Sequence, residues 1–596
     1  MPVAPPRFYE IDDLRIDTVR RVVERAGMLL PISPKAFDVL LVLVEKAGEV
    51  ISKDELLTLV WPDTVVEEAN LTQKIFHLRR VLGEKRTDHR YLVTVPGRGY
   101  RFVASVKPTA ESATSTTTEP ASVTGVAEMS APTLPALAVL PFTPLTQNGP
   151  EDLLAVGIAD ALIGKLLTTQ KLIVRPTSAV LTYRNSLKLP GVIGHELQVT
   201  QLLTGTIQLL ENQIRLMVQL INVSTGATVW AHPVNAQIGH LFAVQDSLAA
   251  HLAEVLSLKL TQDEAQQMAK SYTLNLAAYE QYLRGKFFWN KRTHVGLVNG
   301  AECFQRALEI DPTYALALIG LANSYLIMGE YLFLPPQVAF PKARQYALTA
   351  LELDPHLSTA HGILAEISMF ADWDLTEAER EYRAALTLNP NDAETRHNYM
   401  WLLSVCGRYP EAVAEIKAAH RLDPVSLIIN TGLGIPHYFA GQYELALAAY
   451  TEALKLDPIF MPTQYYLGQV LTKLGRYEEA FQAFRTVLHH ERKPQTLSCF
   501  AFALAQSGNR PAAEKLFAEL KQGAENGYVS PVNLALVYTG FNEFDRALDC
   551  LARGVEEQAA WMPLVSAEPL FESLRMDPRF ERFRVQPSSL FQRKER

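Results

Sequence analysis

The sequence predicts a multidomain, mostly α-helical protein with a small α+β domain, a small α/β domain and a C-terminal α-solenoid. Three observations support this prediction. Residues 108–134 are rich in Ser, Thr, Ala and Pro, strand-like and helix-like segments alternate on both sides of them, and the second half of the chain repeats with a period close to 34 residues. We therefore predict domains at 1–107, 135–262 and 263–596, with a flexible linker at 108–134.

The composition of the 596 residues, 48% hydrophobic and 20% charged, is typical of globular domains and excludes a disordered, collagenous or disulfide-scaffold protein. The four cysteines stand far apart, which predicts reduced thiols and no zinc site. No segment reaches the ~18 uninterrupted apolar residues of a membrane span, and the first residues lack the apolar core of a signal peptide. We expect a cytoplasmic protein without a metal or another cofactor.

The first domain begins with a predicted antiparallel sheet and two helices. The sheet is predicted from three short alternating segments, Phe8–Ile11, Leu14–Asp17 and Val22–Glu24. Ser33 and Pro34 are typical of a helix start, and this helix ends at Ala47. Ser52 and Glu55 have the spacing of a capping box, which opens a second helix that stops before the next proline.

A third helix and a hairpin complete the first domain. The helix is predicted over Glu68–Leu82, and the strands Tyr91–Val95 and Tyr100–Ala104 follow it. The residues between these strands contain two glycines, which suit a tight turn. Three helices followed by a glycine-tipped hairpin predict a winged helix-turn-helix.

The third helix separates an apolar stripe from a polar face. The stripe has helical spacing and is predicted to face the core: Leu71, Ile75, Leu78 and Leu82. The opposite face and its flank carry side chains that can reach base edges or a thymine methyl in the major groove of DNA: Thr72, Gln73, Phe76, His77, Arg79 and Arg80. Two alternatives stay open, because Arg79 pairs with either Glu84 or a phosphate, and Phe76 contacts either DNA or its own domain. For His77 we favour a DNA contact over a metal ligand, since no second ligand stands at helical spacing.

The formal net charge of -8 is unevenly distributed. Residues 69–107 contain nine basic and two acidic residues, a net charge of +7, whereas residues 1–68 have a net charge of -5 and the rest of the chain -10. DNA phosphates attract such a basic segment and supply sequence-independent affinity. The distribution therefore favours double-stranded DNA as a partner of the first domain.

The stretch EEANLTQKIFHLRRVLG, followed by YLVTVPGRGYRF, resembles the OmpR-type winged helix in its CadC/ToxR-like form. The resemblance implies that the third helix enters the major groove, that Thr94 and Arg98 near the wing contact the adjacent groove or backbone, and that the acidic loop Pro62–Asn70 is presented to RNA polymerase. It implies a sequence-specific bacterial transcriptional regulator. Neither the receiver domain nor the membrane span that such regulators use for activation is recognisable in the sequence.

The second domain is predicted to alternate strands with helices. The predicted strands are Ala136–Phe142, Leu172–Arg175, Leu202–Leu209, Arg215–Val223 and Thr228–His232, and the helices are Gly157–Leu167 and Phe242–Leu258. The order of these segments is similar to that of the N-terminal domain of TolB. A role of this domain as a small-molecule receptor is a further hypothesis.

The repeats end at prolines 312, 355, 390, 424 and 458, in steps of 43, 35, 34 and 34 residues. Small and aromatic residues recur before these prolines, such as Gly434, Ala446 and Tyr450, and this pattern resembles the tetratricopeptide repeat. The long step carries about nine extra residues, which we place at Gly329–Pro341. Residues Trp561–Phe583 are predicted to cap the stack.

The first helices of tetratricopeptide pairs line a groove. Here they predict a binding site for a protein or peptide, with these residues exposed in it: His397, Trp401, Tyr438, Phe439, Tyr465, Gln469 and Lys473. The alternative is that some of them pack between neighbouring pairs.

The sequence thus predicts a DNA-binding transcriptional regulator, with a homodimer on DNA as a plausible assembly, whose repeats mediate protein contacts or signal sensing. No catalytic residues are predicted, because fragments near Gly157–Lys165 and His195 lack the spacing of a phosphate-binding loop or a zinc protease. The alternative function is a tetratricopeptide scaffold whose winged helix is a protein-interaction module.

Overall fold

A computed structural model gives the fold of the chain. It describes residues 8–18, 22–25, 28–29, 34–60, 71, 74–75, 78–79, 82, 84, 90–95, 98–104, 106–109, 134–145, 151–184, 186, 188–331, 333–526 and 528–584. The chain divides into two compact units, Met1–Met129 and Ser130–Arg596. In the described ranges, none of the helices combines the length and the apolar character that a membrane span requires.

The first unit contains two antiparallel sheets and a set of helices around one core. Its strands are β1 (Phe8–Ile11), β2 (Leu14–Asp17), β3 (Val22–Arg25), β4 (Met28–Leu29), β5 (Val50–Ile51), β6 (Leu92–Val95), β7 (Gly99–Phe102) and β8 (Lys107–Thr109). The strand orders are β4-β3-β2-β1-β8 and β5-β7-β6. Its helices are Pro34–Glu45, Lys53–Val60 and one that contains the described helical residues between 71 and 79.

The helix starts and the apolar stripe follow the sequence pattern. The Glu55 backbone N–H donates to the Ser52 hydroxyl oxygen at 3.1 Å, which is half of the predicted capping box. The other half is absent from the described contacts, since the Glu55 carboxylate accepts instead from Lys46 at 2.6 Å. The stripe Leu71, Ile75, Leu78 and Leu82 is fully buried, as predicted.

The second unit begins with a sheet covered by helices. Its strands are β9 (Ala136–Val139), β10 (Thr143–Pro144), β11 (Ile173–Val174), β12 (Gln201–Leu210), β13 (Gln213–Asn222) and β14 (Thr228–Gln237), in the order β11-β9-β12-β13-β14, with β10 beside β12. The helices are Glu151–Leu166, Thr177–Leu181, Pro190–Glu196, Leu241–Val255 and Gln262–Met268. The α/β character agrees with the prediction, whereas the two short helices between β11 and β12 were not predicted.

Eight helix pairs follow in the described part of the second unit. They are Leu276–Trp289 with His294–Ile310, Ala315–Glu330 with Pro336–Leu353, Ser358–Ile367 with Leu375–Leu388, Ala393–Val405 with Tyr409–Leu422, Leu427–Gly432 plus Ile435–Phe439 with Tyr443–Ala453, Met461–Lys473 with Tyr477–His490, Pro494–Gln506 with Arg510–Asn526, and Pro531–Gly540 with Phe544–Glu556. The first helices of successive pairs contact one another. They therefore line the inner side of the stack.

Small residues and rings meet where the two helices of a pair cross, as the repeat pattern predicts. A Cβ placed on Gly434 would lie 2.3 Å from the Tyr450 ring, and one on Gly468 would lie 2.7 Å from the Phe484 ring. Only glycine lets the aromatic side chain approach the helix backbone so closely. This contact fixes the spacing of the pair.

The extra residues of the long repeat, which the sequence placed at Gly329–Pro341, are mostly helical in the structure. The helices Ala315–Glu330 and Pro336–Leu353 have 16 and 18 residues, against 13 and 14 in the pair Ala393–Val405 and Tyr409–Leu422. Most of the addition lengthens the helices, and Pro341 lies inside the second of them. Pro341 is the sixth residue of this helix, beyond its first turn, so its missing N–H removes one intrahelical hydrogen bond.

The α/β part and the repeats share contacts within the second unit. Arg175, at the end of β11, is 3% exposed and donates to four backbone carbonyls. Two of them belong to Leu197 and Gln198 in the α/β part, and two to Arg421 and Leu422 at the end of a repeat helix. The Tyr279 hydroxyl donates to the Gly157 carbonyl at 2.9 Å. A guanidinium can satisfy several carbonyls at once, which explains an arginine here.

Residues 557–576, which we call the return segment, fold back across the inner side of the stack. The segment contains the short helical turns Met562–Val565, Pro569–Phe571 and Leu574–Met576. The turn Met562–Val565 and the following turn Pro578–Phe583 both pack on the last long helix, Phe544–Glu556, as a cap would. The predicted cap Trp561–Phe583 therefore covers the last pair, but it also extends along the groove to Tyr438 and Lys473, which was not predicted.

Candidate nucleic-acid interface and repeat groove

The third helix of the first unit is joined to the wing by Arg79. Its Nη2 donates to the Leu92 carbonyl at 3.2 Å and to the Thr94 hydroxyl at 2.9 Å, both on β6. Its Nε lies 3.7 Å from the Glu84 carboxylate. Of the two alternatives that the sequence left open for Arg79, the structure shows the pairing with Glu84.

Glu84 connects the end of the third helix to the first strand of the wing. Its side chain has no exposed area, and its Oε1 accepts from the backbone N–H groups of Tyr91 at 2.8 Å and Leu92 at 3.1 Å. The sequence suggested Glu84 as a possible partner of Arg79, but not its burial or its bonds to the strand backbone. An isolated acid beside a strand start within a basic run is the signal that points to such a buried role, because a buried carboxylate needs N–H donors and a cation.

The N-terminal sheet contacts both the end of the third helix and the start of the wing. Arg25 on β3 donates to the Leu82 carbonyl at 2.9 Å and forms an ion pair with Asp13 at 3.0 Å. Arg90 pairs with Asp12 at 3.0 Å in the same β1–β2 turn. The Tyr91 hydroxyl donates to Asp13, and burial raises the pKa of Tyr91. Two carboxylates of one turn therefore bind both basic residues that flank the helix–wing junction.

The wing turn brings Arg98 to the surface. Arg98 is exposed, and no hydrogen bond or ion pair of its side chain occurs among the described residues. Its backbone N–H donates to the Val95 carbonyl at 3.0 Å and closes the turn. The next residue, Gly99, has a φ of +144°, and a Cβ there would lie 1.9 Å from the Ile51 carbonyl oxygen of β5. Only glycine allows β7 to approach β5 in this way.

The structure brings together Arg79 and Thr94 and exposes Arg98 at the wing tip, where its side chain has no bond to another described residue. The other predicted DNA contacts, Thr72, Gln73, Phe76, His77 and Arg80, lie outside the described residues, as does the whole loop from Pro62 to Asn70. Their roles stay predictions.

The sequence model of the family described as transcriptional regulatory protein, C terminal, matches residues 27–102. These residues form an OmpR/PhoB-type DNA-binding domain. The DNA-binding domain thus includes the third helix, Arg79, Glu84 and the whole wing up to Phe102. A second family, the tetratricopeptide repeat, matches residues 431–495. The similarity of residues 135–262 to the TolB domain stays a prediction.

Three relatives differ in how much of the chain they match. Transcriptional regulator HilA of Salmonella typhimurium is 27% identical over 457 residues, which are 74% of this chain and 75% of HilA. Transcriptional activator CadC of Escherichia coli is 36% identical over 85 residues, 14% of this chain and 17% of CadC. A Rhizobium meliloti protein named as an adenylate cyclase is 27% identical over 206 residues, 34% of this chain and 35% of that protein.

Six of the seven predicted groove residues divide into two groups, and the seventh, Gln469, is buried. Four pack against neighbouring repeat residues: the Trp401 ring lies 5.9 Å from that of Phe439, His397 Nδ1 bonds Asn398 at 2.9 Å, and the Tyr465 hydroxyl lies 3.4 Å from Cys499 Sγ. The Trp401–Phe439 and Tyr465–Cys499 contacts correspond to the alternative of packing between pairs, whereas the His397 bond lies within one helix. Two others, Tyr438 and Lys473, bond the return segment.

The return segment places two carboxylates against this second group. The Tyr438 hydroxyl donates to Glu568 Oε1, and Lys473 Nζ lies 2.6 Å from Glu572 Oε2 and 3.3 Å from the Pro569 carbonyl oxygen. Burial raises the pKa of Glu568, while the Tyr438 hydroxyl and the positive charges of Arg575 and Lys473 act to lower it. Lys473 holds the pKa of Glu572 below its ordinary value.

A second acidic group lies on the inner helices of earlier repeats. Glu330 and Glu366 lie close enough for each carboxyl to affect the ionisation of the other, and the Asn398 amide donates to Glu366 at 2.7 Å. Burial raises the pKa of both carboxyls, which favours one shared proton. In the part of the chain that the structure describes, no group of three or more His, Cys, Asp or Glu side chains is arranged to hold a metal ion.

Proposed function

We propose that this protein is a sequence-specific DNA-binding transcriptional regulator that acts in the bacterial cytoplasm. The observation that carries the proposal is the family match of residues 27–102, together with the bonds of Arg79 and Glu84 that fix the third helix to the wing. A reading helix must be held in a defined orientation beside the wing if its side chains are to meet base edges.

The proposal assigns different roles to the predicted contact residues. Thr72, Gln73, Phe76, His77 and Arg80 contact base edges or phosphates from the third helix. Arg98 contacts a backbone phosphate or the minor groove from the wing tip. Arg79 and Thr94 act as positioning residues, because their polar atoms already bond each other.

The rest of the chain serves protein contacts or signal sensing. We propose the same domain boundaries as those predicted from the sequence. The DNA-binding domain is 1–107, the linker 108–134, the α/β domain 135–262, and the repeats begin at 263. We further propose a homodimer on DNA, because one winged helix covers a small area, and an RNA polymerase contact through the acidic loop of residues 62–70.

The proposed role is regulatory and not catalytic. Two of the three relatives described above are named as transcriptional regulators, and HilA matches about three quarters of this chain. The relative named as an adenylate cyclase matches about a third of it. Regulation of transcription accounts for the DNA-binding domain, whereas a cyclase reaction leaves this domain without a role.

Binding of the full-length protein to a pool of genomic DNA fragments tests this proposal. We expect selected fragments to be retained, with affinity falling steeply as salt rises, since each phosphate contact releases a counterion. The double variant Arg80→Ala/Arg98→Ala should lose this binding, while Arg306→Ala, which removes an exposed arginine from a repeat helix, should not. Failure to retain any fragment at low salt, or unchanged binding by the double variant, would favour the scaffold alternative.

A further inference from the structure

The return segment follows the groove across several repeats. The Gln337 amide donates to the Glu557 carbonyl oxygen at 2.6 Å, and the Trp561 ring lies 5.6 Å from that of Phe370. Further along, Glu568 and Glu572 reach Tyr438 and Lys473, as described above. A peptide bound to a tetratricopeptide groove makes this kind of extended contact with successive first helices.

The centre of the segment has a defined chemical pattern. Residues 568–572 read Glu-Pro-Leu-Phe-Glu, with a carboxylate at each end and two apolar side chains between them. Leu570 and Phe571 are each 2% exposed. The groove supplies a hydroxyl donor and an ammonium group for the carboxylates, and aromatic and aliphatic side chains for the apolar pair. It is therefore complementary to an acidic–apolar–acidic sequence.

The fit of the segment leaves polar atoms unsatisfied. Gln469 lies one turn from Tyr465 and one turn from Lys473 on the same helix face, and it is 2% exposed. Its Oε1 finds no hydrogen-bond donor among the described residues, and neither does Trp561 Nε1 find an acceptor there. Buried polar atoms without partners weaken the contact. A ligand that donates to Gln469 would bind this site better than the return segment does.

The segment has little regular secondary structure of its own. Its helical turns have four, three and three residues, whereas the groove helix Met461–Lys473 has 13. Short turns hold few internal hydrogen bonds, so the segment can leave without unwinding a repeat. The two helices of each repeat pair contact each other directly and not through the segment.

We propose that the groove binds a segment of a partner protein with an acidic–apolar–acidic sequence, and that the return segment occupies this site until the partner displaces it. The partner's two carboxylates take the positions of Glu568 and Glu572, and its apolar residues replace Leu570 and Phe571. The proposal rests on the proposed function only in that the repeats serve protein contacts.

A labelled peptide of residues 559–577 tests the proposal on the full-length protein. In the wild type the return segment competes with the peptide, so we expect weak binding. The variant Glu568→Ala/Glu572→Ala should bind the peptide at least tenfold more tightly, and adding Lys473→Glu should reverse this gain. A peptide carrying Glu572→Lys should regain affinity for the Lys473→Glu protein. The matched control Glu581→Lys, which changes an exposed acid of the terminal cap, should behave as the wild type does.

Three results would overturn the proposal. One is a folded Glu568→Ala/Glu572→Ala protein that binds the peptide no better than the wild type. Another is equal binding of a scrambled peptide. The third is a dimer in which two copies exchange return segments and leave no peptide site, which would assign the groove to a second copy of this chain. Retention of DNA fragments by the same variants reports on the proposed function separately.

If the Glu568→Ala/Glu572→Ala protein does not fold, hydrogen exchange of the wild type provides an independent test of the proposal. We expect the backbone N–H of Leu570, which donates to Glu568 Oε1, to exchange at least a hundredfold faster than the protected amides of Met461–Lys473. Exchange of both at the same rate would show that the segment opens only when the repeats unfold, and would overturn the proposal.

Discussion

Arg79 Nη2 donates to the Thr94 hydroxyl at 2.9 Å and thereby joins the third helix of the DNA-binding domain to the first strand of its wing. The same guanidinium lies beside Glu84, whose other carboxylate oxygen accepts from the strand backbone. An arginine, a carboxylate and a hydroxyl thus form one connected network at the junction. The helix and the wing are expected to move as one body.

Replacement of Arg79 should weaken both the fold and DNA binding. Arg79→Ala leaves the buried Glu84 carboxylate without its cation and removes two hydrogen bonds, which should lower the stability of this domain by about 2 kcal/mol. Hydrogen exchange of residues 8–109 in the full-length protein measures the change. Thr94→Val is the matched control, since it removes one of these bonds and should cost about 1 kcal/mol. Equal stability of Arg79→Ala and the wild type would contradict the positioning role.

Replacement of Arg98 should affect DNA binding alone. Because its side chain is exposed, Arg98→Ala should leave hydrogen exchange of the domain unchanged. The DNA affinity should fall roughly three- to tenfold, and the slope of log affinity against log salt should decrease by about 1, as expected for one phosphate contact. A salt titration by fluorescence anisotropy measures both quantities. An unchanged slope would remove Arg98 from the interface.

Gly99 should be irreplaceable for steric reasons. Gly99→Ala would place a Cβ 1.9 Å from the Ile51 carbonyl oxygen in a backbone region that L residues avoid, so we expect at least about 2 kcal/mol of destabilisation. Gly48→Ala is the matched control: its φ is +92°, but nothing lies within 4 Å, and strain alone should cost about 1 kcal/mol. Thermal unfolding followed by hydrogen exchange ranks the two variants. A smaller loss for Gly99→Ala would argue against this wing geometry.

Much of the fold follows from local patterns. The apolar stripe from Leu71 to Leu82, the strands β1 to β3 and the helix pairs all rest on a regular period of two or of about 3.6 residues. The two-residue strands β4 and β5 have no such period and were not predicted. Strand β8, Lys107–Thr109, pairs with β1 some 100 residues away and extends into the predicted linker, since pairing and not local sequence decides its structure.

The candidate sites were predictable in composition but less so in arrangement. The basic run and the wing motif pointed to the DNA-binding domain, yet the bonds of Arg79 to Thr94 and of Arg25 to Leu82 depend on tertiary contacts across many residues. The repeat register placed Tyr438 and Lys473 in the groove. It contained no information on the return segment, whose position is set by apolar burial far from its neighbours in sequence.

Arg175 should be essential for the second unit. Arg175→Met removes donors from four carbonyls and leaves Asp423, whose carboxyl has a pKa raised by burial, without the nearby positive charge. We expect a loss of about 3 kcal/mol, measured as a lower urea midpoint of the repeat region. Arg306→Ala is the control, because the Arg306–Glu302 pair is 59% exposed on both sides and should change stability by less than about 0.5 kcal/mol. Similar midpoints for both variants would contradict this assignment.

The return segment should loosen as the pH rises. Burial raises the pKa of Glu568 above its ordinary value of 4.5, so the folded state binds the proton more tightly than the open state. The contribution of Glu568 to the stability of the closed return segment is therefore fully present below pH 4.5. It is lost as the pH rises through the higher folded pKa. After correction for intrinsic exchange, opening of the Leu570 amide should increase over this range in the wild type and stay constant in Glu568→Gln. The same pH dependence in both proteins would exclude Glu568 as its source.

Genome-wide footprinting of the tagged full-length protein, compared with Arg80→Ala/Arg98→Ala, tests the central claim most directly. We predict that the wild type protects a limited set of sites that share one sequence motif, and that the double variant leaves these sites unprotected while its repeats stay folded. Protection without a common motif, or the same footprints for both proteins, would contradict a regulator that reads DNA through this helix and wing.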